Sequence, residues 1–240
     1  MEVINDLLDY NNLKIFQNTD MFNFSLDSVL LANFVTLNKG ISSILDIGCG
    51  NAPIPMILST KTGAFITGVE IQKDVYDLAY KSVKLNSLEK RIKIINDDIN
   101  NYASLLESDS FDVITCNPPY FRVSEGSNFN DSPYKLIARH EVCLNLEQVF
   151  KISRKLLKNG GVVAVVHRPE RMVDIFEEMK KNNIEPKRVQ FVYPKFGRDA
   201  NMILVEGKKN GNPGLKILQP LYIHDENGAY TSLVKDFFKE

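Results

Sequence analysis

Short apolar runs rich in β-branched residues alternate along this chain with segments whose apolar positions repeat at helical period. The runs predict strands at Ile44–Asp46, Phe65–Glu70, Ile92–Asn96, Phe111–Cys116, Val162–His167, Arg188–Tyr193 and Met202–Glu206. The helical pattern predicts helices at Asp27–Leu37, Pro53–Thr60, Lys73–Asn86, Leu146–Lys158 and Met172–Asn182. Strands alternating with helices of this length imply an α/β fold, a mostly parallel sheet with helices on both faces. Strands that are apolar nearly throughout support burial on both faces. Only Pro194–Asn201 separates the last two strands, a return short enough for a hairpin, so the last strand is expected to run antiparallel. The Asp27–Leu37 helix is expected to close over the sheet's edge. Gly160-Gly161 and Asn86 are read as left-handed stops after their helices.

There is no internal repeat and no long low-complexity linker. The reading is a single domain over residues 1–240, with an N-terminal cover (1–42), a core (43–207) and a C-terminal appendage (208–240) that opens on the turn Lys208–Gly214. The longest apolar runs, such as Val162–Val166, fall far short of the roughly 20 residues a membrane span needs. No membrane partner is expected. The N-terminal residues show no basic-then-apolar signal pattern. Cys49, Cys116 and Cys143 are scattered and odd in number, which argues against a disulfide framework or a zinc cluster. No metal site is expected, and the location expected is the cytoplasm.

The net charge of −1 would not suggest a nucleic-acid partner. Its distribution changes that picture. Residues 151–198 hold 12 Lys and Arg against 5 Asp and Glu, a net of +7, while the rest of the chain is net −8. A basic segment in an acidic protein attracts phosphates locally, unless its charges are simply solvated helix faces.

The candidate chemistry lies at predicted strand ends. Leu45-Asp46-Ile47-Gly48-Cys49-Gly50-Asn51-Ala52 joins the first of these strands to a helix. Gly48 and Gly50 there permit a sharp turn and close approach of backbone to a ligand. Glu70 ends the next strand, where a carboxylate can accept both hydroxyls of a ribose. Asp98 follows the third and can bond an adenine amino group. Each acid alone also suits strand-end capping; three in succession describe a pocket for an adenosine-bearing cofactor. NAD and S-adenosylmethionine both fit that outline. The dinucleotide fingerprint, however, wants a third glycine and helix amides facing a pyrophosphate. Pro53 stands near that place without an amide, and Asp46 would face the pyrophosphate with like charge. Asp46 instead suits the amino group of a methionine moiety, which selects S-adenosylmethionine.

Asn117-Pro118-Pro119-Tyr120 follows the Phe111–Cys116 strand. It is either a Pro-rich turn or a cradle for a planar NH2 group. In the second reading the Asn117 side-chain oxygen and the Pro118 carbonyl each accept an N–H bond. Pro119 keeps the local backbone extended, and Tyr120 stacks on the base. Two acceptors draw the amine nitrogen toward tetrahedral geometry and aim its lone pair at a methyl group, so alignment supplies most of the acceleration. Cys116, beside Asn117, is read as a small buried strand residue.

These motifs resemble class I S-adenosylmethionine-dependent amino-group methyltransferases, whose sheet is Rossmann-like. Ile137-Ala138-Arg139-His140-Glu141, Arg168-Pro169-Glu170-Arg171, Glu185-Pro186-Lys187-Arg188, Val192-Tyr193-Pro194-Lys195 and Ala200–Gly207 narrow the resemblance. Together they are similar to the tRNA(Val) adenine-37 N6-methyltransferase family. The resemblance implies that Asn117, Pro118, Pro119 and Tyr120 are catalytic. It implies that Asp46, Gly48, Gly50, Glu70, Asp98 and Asn117 hold the cofactor, and that the substrate is a flipped adenine in tRNA. Position 37 rests on the resemblance alone. Ala52, where relatives often carry glycine, is expected to narrow the approach to the methionine moiety slightly.

For contact with RNA the candidates are Arg139, His140, Arg168, Arg171, Lys195 and Arg198, the last two bracketing Phe196. The loop Phe121–Pro133 is expected to order over RNA. Phe22 and Phe24 either line the cofactor pocket or pack in the core. The same Asn-Pro-Pro-Tyr chemistry also serves N5-methylation of a protein glutamine and N6-methylation of adenine in DNA. The oligomeric state is left open, with a monomer favoured.

Overall fold

The computed structural model describes residues 1–7, 12–19, 21, 25–120 and 144–238. A hairpin of β1 (Glu2–Asp6) and β2 (Lys14–Asn18) comes first, followed by α1 (Leu26–Phe34). Then strand and helix alternate: β3 (Ser43–Ile47), α2 (Pro53–Lys61), β4 (Phe65–Glu70), α3 (Lys73–Leu85), β5 (Ile92–Asn96), α4 (Ile99–Leu105) and β6 (Phe111–Cys116). After the undescribed residues come α5 (Leu146–Leu156), β7 (Leu157–His167), α6 (Met172–Lys181), β8 (Ile184–Lys195) and β9 (Met202–Lys209). The chain closes with β10 (Lys216–Ile217), β11 (Leu221–His224) and α7 (Ser232–Asp236).

The main sheet runs in the order β5-β4-β3-β6-β7-β9-β8, and both β10 and β11 pair with β8. Pairing is parallel from β5 through β7. β9 lies between β7 and β8 and is antiparallel to both, so the expected antiparallel return is present. Because β9 reverses, β8 and β11 point the same way as β7. Their carboxyl ends therefore share one edge of the sheet with those of β3, β4, β5 and β6.

Alternate residues of a strand face opposite sides. Ile44 enters a core packed by α1, α2 and α3, while Leu45 and Ile47 enter the other, packed by α4, α5 and α6. This two-sided burial is why the strands carry so few polar residues. α1 packs on α2 and across β7 and β9, so it covers a face rather than the expected edge.

Helix ends depart from the expected stops. α5 ends at Leu156 and passes directly into β7, so Gly160 does not cap it. Gly160 (φ +77°) instead lies where the β6–β7 register slips, within a bulge. After α3, Asn86 keeps a negative φ and Ser87 (φ +55°) takes the left-handed position. Asn86 serves as a hook: it accepts from Lys14 N (2.9 Å) and donates to Lys14 O (2.7 Å). Ser82 Oγ accepts from Phe16 N at 2.9 Å. These bonds dock the β1–β2 hairpin on α3.

A buried carboxylate fastens α1 to the sheet. Glu206, on β9, accepts from Thr36 N (2.7 Å), Thr36 Oγ1 (2.8 Å) and Arg188 Nη1 (3.2 Å). Arg188 also donates to Phe34 O and lies over the Phe34 ring. Removing one partner of such a pair leaves the other charge buried and unpaired, at a cost of about 3–5 kcal/mol. Glu206→Ala is expected to lower the unfolding free energy by about 3 kcal/mol in urea titration with an unchanged slope, and Glu206→Gln by less.

Candidate active site

The turn after β3 is built from left-handed residues. Gly48 (φ +67°) and Gly50 (φ +56°) have nothing within 4 Å of where a Cβ would stand, so open space adjoins the backbone there. The Gly48 and Cys49 amides both donate to Val69 O, at 2.9 and 3.0 Å, which pins the turn to β4. Asn51 Nδ2 donates to Phe16 O at 2.9 Å and ties the turn to the hairpin. Ala52 also adopts a left-handed conformation (φ +70°). An alanine there costs roughly 1–2 kcal/mol, partly offset by about 0.8 kcal/mol from burying its methyl. That methyl is fully buried in the core, so it does not narrow the turn's open side as expected.

Asp46 is fully buried one residue before the end of β3. Thr115 Oγ1, on β6, donates to Asp46 Oδ1 at 2.6 Å, while Asp46 Oδ2 has no partner. Burial pushes the Asp46 carboxyl up to about 7, with the Thr115 bond opposing and the Glu70 charge adding to the rise. Glu70 is buried, and burial raises it as well. Its oxygens accept from Gly50 N (3.1 Å) and Gln72 N (2.8 Å), which leaves lone pairs over. Asp98 caps α4, its Oδ1 accepting from Asn100 N and Asn100 Nδ2, both at 2.8 Å.

Asn117 stands at the carboxyl end of β6, with its Oδ1 2.9 Å from the Tyr120 hydroxyl. That hydroxyl also makes a very short bond to Asp27 Oδ2, at the first turn of α1. A phenol has one proton, and the carboxylate is the stronger acceptor. Asn117 Oδ1 is therefore left with acceptor capacity toward the open edge. The Arg168 guanidinium covers one face of the Tyr120 ring, 5.1 Å from its centroid. His167 tilts against the same ring at 5.3 Å. Burial, with the nearby Arg171 and Arg168 charges, lowers His167 to about 4. His167 Nδ1 accepts from Arg168 N at 2.8 Å, so its proton sits on Nε2, which is buried without a partner.

Asp27, Gln72 and His167 were not singled out by sequence reasoning. Asp46 Oδ2, Gln72 Oε1, His167 Nε2 and Asn201 Oδ1 are all buried and unpartnered, and all belong to residues at the sheet's carboxyl edge. Buried polar atoms without partners are rare in a folded protein, and their concentration at one edge marks a place for a polar ligand.

The candidate RNA residues divide. Arg139 and His140, with Phe22, Phe24 and the loop Phe121–Pro133, lie outside the described residues. Arg168 is held against Tyr120 and donates to Asn201 O at 2.9 Å. Arg171 pairs with Asp174 at 2.6 Å. Lys195, the last residue of β8, and Arg198, on the β8–β9 loop, are exposed, and neither has an ion-pair partner among the described residues. Five of the twelve cations in residues 151–198 (Lys158, Arg171, Lys180, Lys181 and Arg188) are in carboxylate pairs, so much of the basic segment serves the fold. Among the described residues no His, Cys, Asp and Glu cluster could hold a metal ion, and no helix is long and apolar enough to cross a membrane.

A Rossmann-like sheet with one antiparallel strand near its end, and a glycine turn and acids at its carboxyl edge, defines a class I S-adenosylmethionine-dependent methyltransferase. A family model described as a methyltransferase domain matches residues 38–209, and the chain belongs to that family. A tRNA1(Val) (adenine(37)-N6)-methyltransferase of Parabacteroides distasonis is 24% identical over 241 residues, covering 98% of this chain and 98% of its own. One of Shewanella halifaxensis is 28% identical over 230 residues, covering 89% and 91%. Among solved structures, an Agrobacterium tumefaciens protein described as a predicted O-methyltransferase superposes with a TM-score of 0.70 at 21% identity, covering 88% of this chain and 95% of its own. Geranyl diphosphate C-methyltransferase from Streptomyces coelicolor, bound to Mg2+, geranyl diphosphate and S-adenosyl-L-homocysteine, gives 0.57 at 10% identity, with 76% and 77% covered. These superpositions show a shared fold.

The raised Asp46 carboxyl has a consequence for stability. The native protein keeps that proton up to about pH 7, whereas the unfolded chain releases it near 3.8. Stability of the ligand-free protein is therefore lost as pH rises from about 4 to about 7. Chemical denaturation across this range is expected to show Asp46→Asn more stable than wild type at pH 8 and matched to it near pH 4.

Proposed function

We propose that this protein transfers a methyl group from S-adenosylmethionine to the N6 amino group of an adenine in tRNA, adenine-37 of a tRNA(Val). The observation that carries the reading is Asn117-Pro118-Pro119-Tyr120 standing at the end of β6, next to the strand that bears Asp46. Relatives matched over nearly their whole length support the choice of tRNA.

The residues present fit the cofactor. Asp46 Oδ2, buried and unpartnered, is the acceptor for a cationic amino group. The spare lone pairs of Glu70 serve the ribose hydroxyls, and Asp98 serves the adenine amino group. Gly48 and Gly50 leave room beside the backbone. When bound, S-adenosylmethionine supplies an electrophilic methyl group.

Asn117 Oδ1 and Pro118 O each accept one N–H of the target amine and so orient its lone pair. Tyr120 is the ring on which the target base would stack. The Asp27 bond to its hydroxyl and the Arg168 contact hold that ring in place, so little reorganisation is needed when the base arrives. No strong base is required, because the amine proton is lost readily once the nitrogen carries the extra methyl. Lys195 and Arg198, without an ion-pair partner among the described residues, favour a polyanion over a protein glutamine.

Incubation with labelled S-adenosylmethionine and undermodified total tRNA, followed by nucleoside mapping, is expected to yield N6-methyladenosine. Its absence removes this reading, and methylglutamine in a protein substrate would replace it. Asn117→Ala is expected to keep cofactor affinity while methyl transfer falls about 100-fold or more. Unchanged turnover would reject the role given to Asn117.

A further inference from the structure

The C-terminal residues build a second feature on the same edge of the sheet. β11 pairs with the end of β8, Tyr222 opposite Tyr193 and His224 opposite Lys195. Val192 of β8 is level with Met202 of β9, and Ile203 with His167 of β7. The β8–β9 loop and β11 therefore open toward the side where Tyr120 and Arg168 stand. Three strand spacings separate β7 from β11, about 14 Å in all.

Pro194, Lys195, Arg198, Asp199, His224 and Gly228 line an open cavity of about 540 Å³ here. Its surroundings are aromatic. Tyr222 meets Tyr193 at 5.3 Å and Phe196 at 6.0 Å between ring centroids, and His224 stacks on Tyr230 at 5.1 Å with an 18° interplanar angle. His224 Nδ1 donates to Pro194 O at 3.1 Å, which holds this lining ring in place. Phe196 is 77% exposed, an aromatic ring left in water between two cations. Lys195 and Arg198 outnumber Asp199 on the walls. The Asp225 carboxylate accepts from Asn227 N and Ala229 N and is spent on the turn.

The loop is also tied to the catalytic edge. Arg168, over the Tyr120 ring, donates to Asn201 O, and Asn201 N donates to Val192 O at 3.0 Å. An exposed aromatic flanked by cations that have no ion-pair partner among the described residues, beside a cluster of packed rings, is the chemistry that binds a single-stranded nucleic acid: rings stack on the base and cations take the flanking phosphate.

Resting on the proposed RNA substrate, we infer that this surface holds one unstacked nucleotide of that RNA, a few residues from the methylated adenine, its base stacked on the exposed Phe196 ring and its phosphate at the cavity walls, between Lys195 and Arg198. The C-terminal segment is then part of the substrate site.

The test measures binding of a fluorescein-labelled tRNA(Val) transcript by anisotropy, and methyl transfer to the same transcript, for wild type, Phe196→Ala and Lys195→Ala/Arg198→Ala. All three positions are exposed, and circular dichroism confirms the fold. Phe196→Ala is expected to raise Kd and KM about tenfold, with kcat at saturating RNA and S-adenosylmethionine affinity unchanged. Phe196→Tyr restores binding. The double variant is expected to weaken binding and reduce the slope of log K against log salt by about one to two. Wild-type methylation with Kd and slope unchanged in the variants overturns the pocket and leaves the methyltransferase reading intact. RNA binding weakened by the variants, without methylation by wild type, overturns that reading and keeps the pocket. No binding of the transcript by wild type overturns both.

Discussion

A parallel sheet covered on both faces has no interior place for polar chemistry except the ends of its strands. That constraint organises this molecule. β3, β4 and β6 are buried almost throughout, as is β7 from Val163 to His167, and each delivers a polar group to one edge: Asp46, Glu70, Asn117 and His167. Asp46 shows the cost. It enters the apolar layer with one oxygen served by Thr115 and the other by nothing, and burial answers by favouring its neutral form. A cation arriving at that oxygen would exchange an unfavourable burial for a charge-assisted bond.

Phe65–Glu70, Ile92–Asn96 and Phe111–Cys116 are bounded as expected, because an apolar β-branched run ended by polar residues has few alternatives. The β1–β2 hairpin has no such run; Glu2–Asp6 is mostly exposed and becomes a strand only because β2 pairs with it. Gly160 illustrates the opposite failure. A glycine after a helical period looks like a stop, yet the register slip between β6 and β7 uses its left-handed φ inside a strand. The site was legible where chemistry lay in consecutive letters, as in Asn117–Tyr120 and Asp46–Gly50. Asp27 lies 93 residues from the Tyr120 hydroxyl it receives, and no local period announces that meeting.

Charge was legible as a sum and not as an arrangement. The basic stretch over residues 151–198 contains Lys158 bound to Asp112, Lys180 to Glu185 and Arg188 to Glu206, contacts that fasten strands and helices to one another. Lys195 and Arg198 differ because they sit at the end of β8 and just beyond it, where no carboxylate among the described residues pairs with them. An exposed loop beyond the sheet is where a surplus of charge costs the fold least and remains available to solvent ions or a polyanion.

The hairpin hooks set an order of events during translation. β2 is made before the side chains that dock it on the rest of the fold, since Asn51, Ser82 and Asn86 lie 35, 66 and 72 residues later than the positions they bind. A two-stranded hairpin alone is marginal in water, so this segment waits until α3 has emerged. It then docks beside the glycine turn through Asn51, so one wall of that turn depends on contacts made 35 to 72 residues further along the chain.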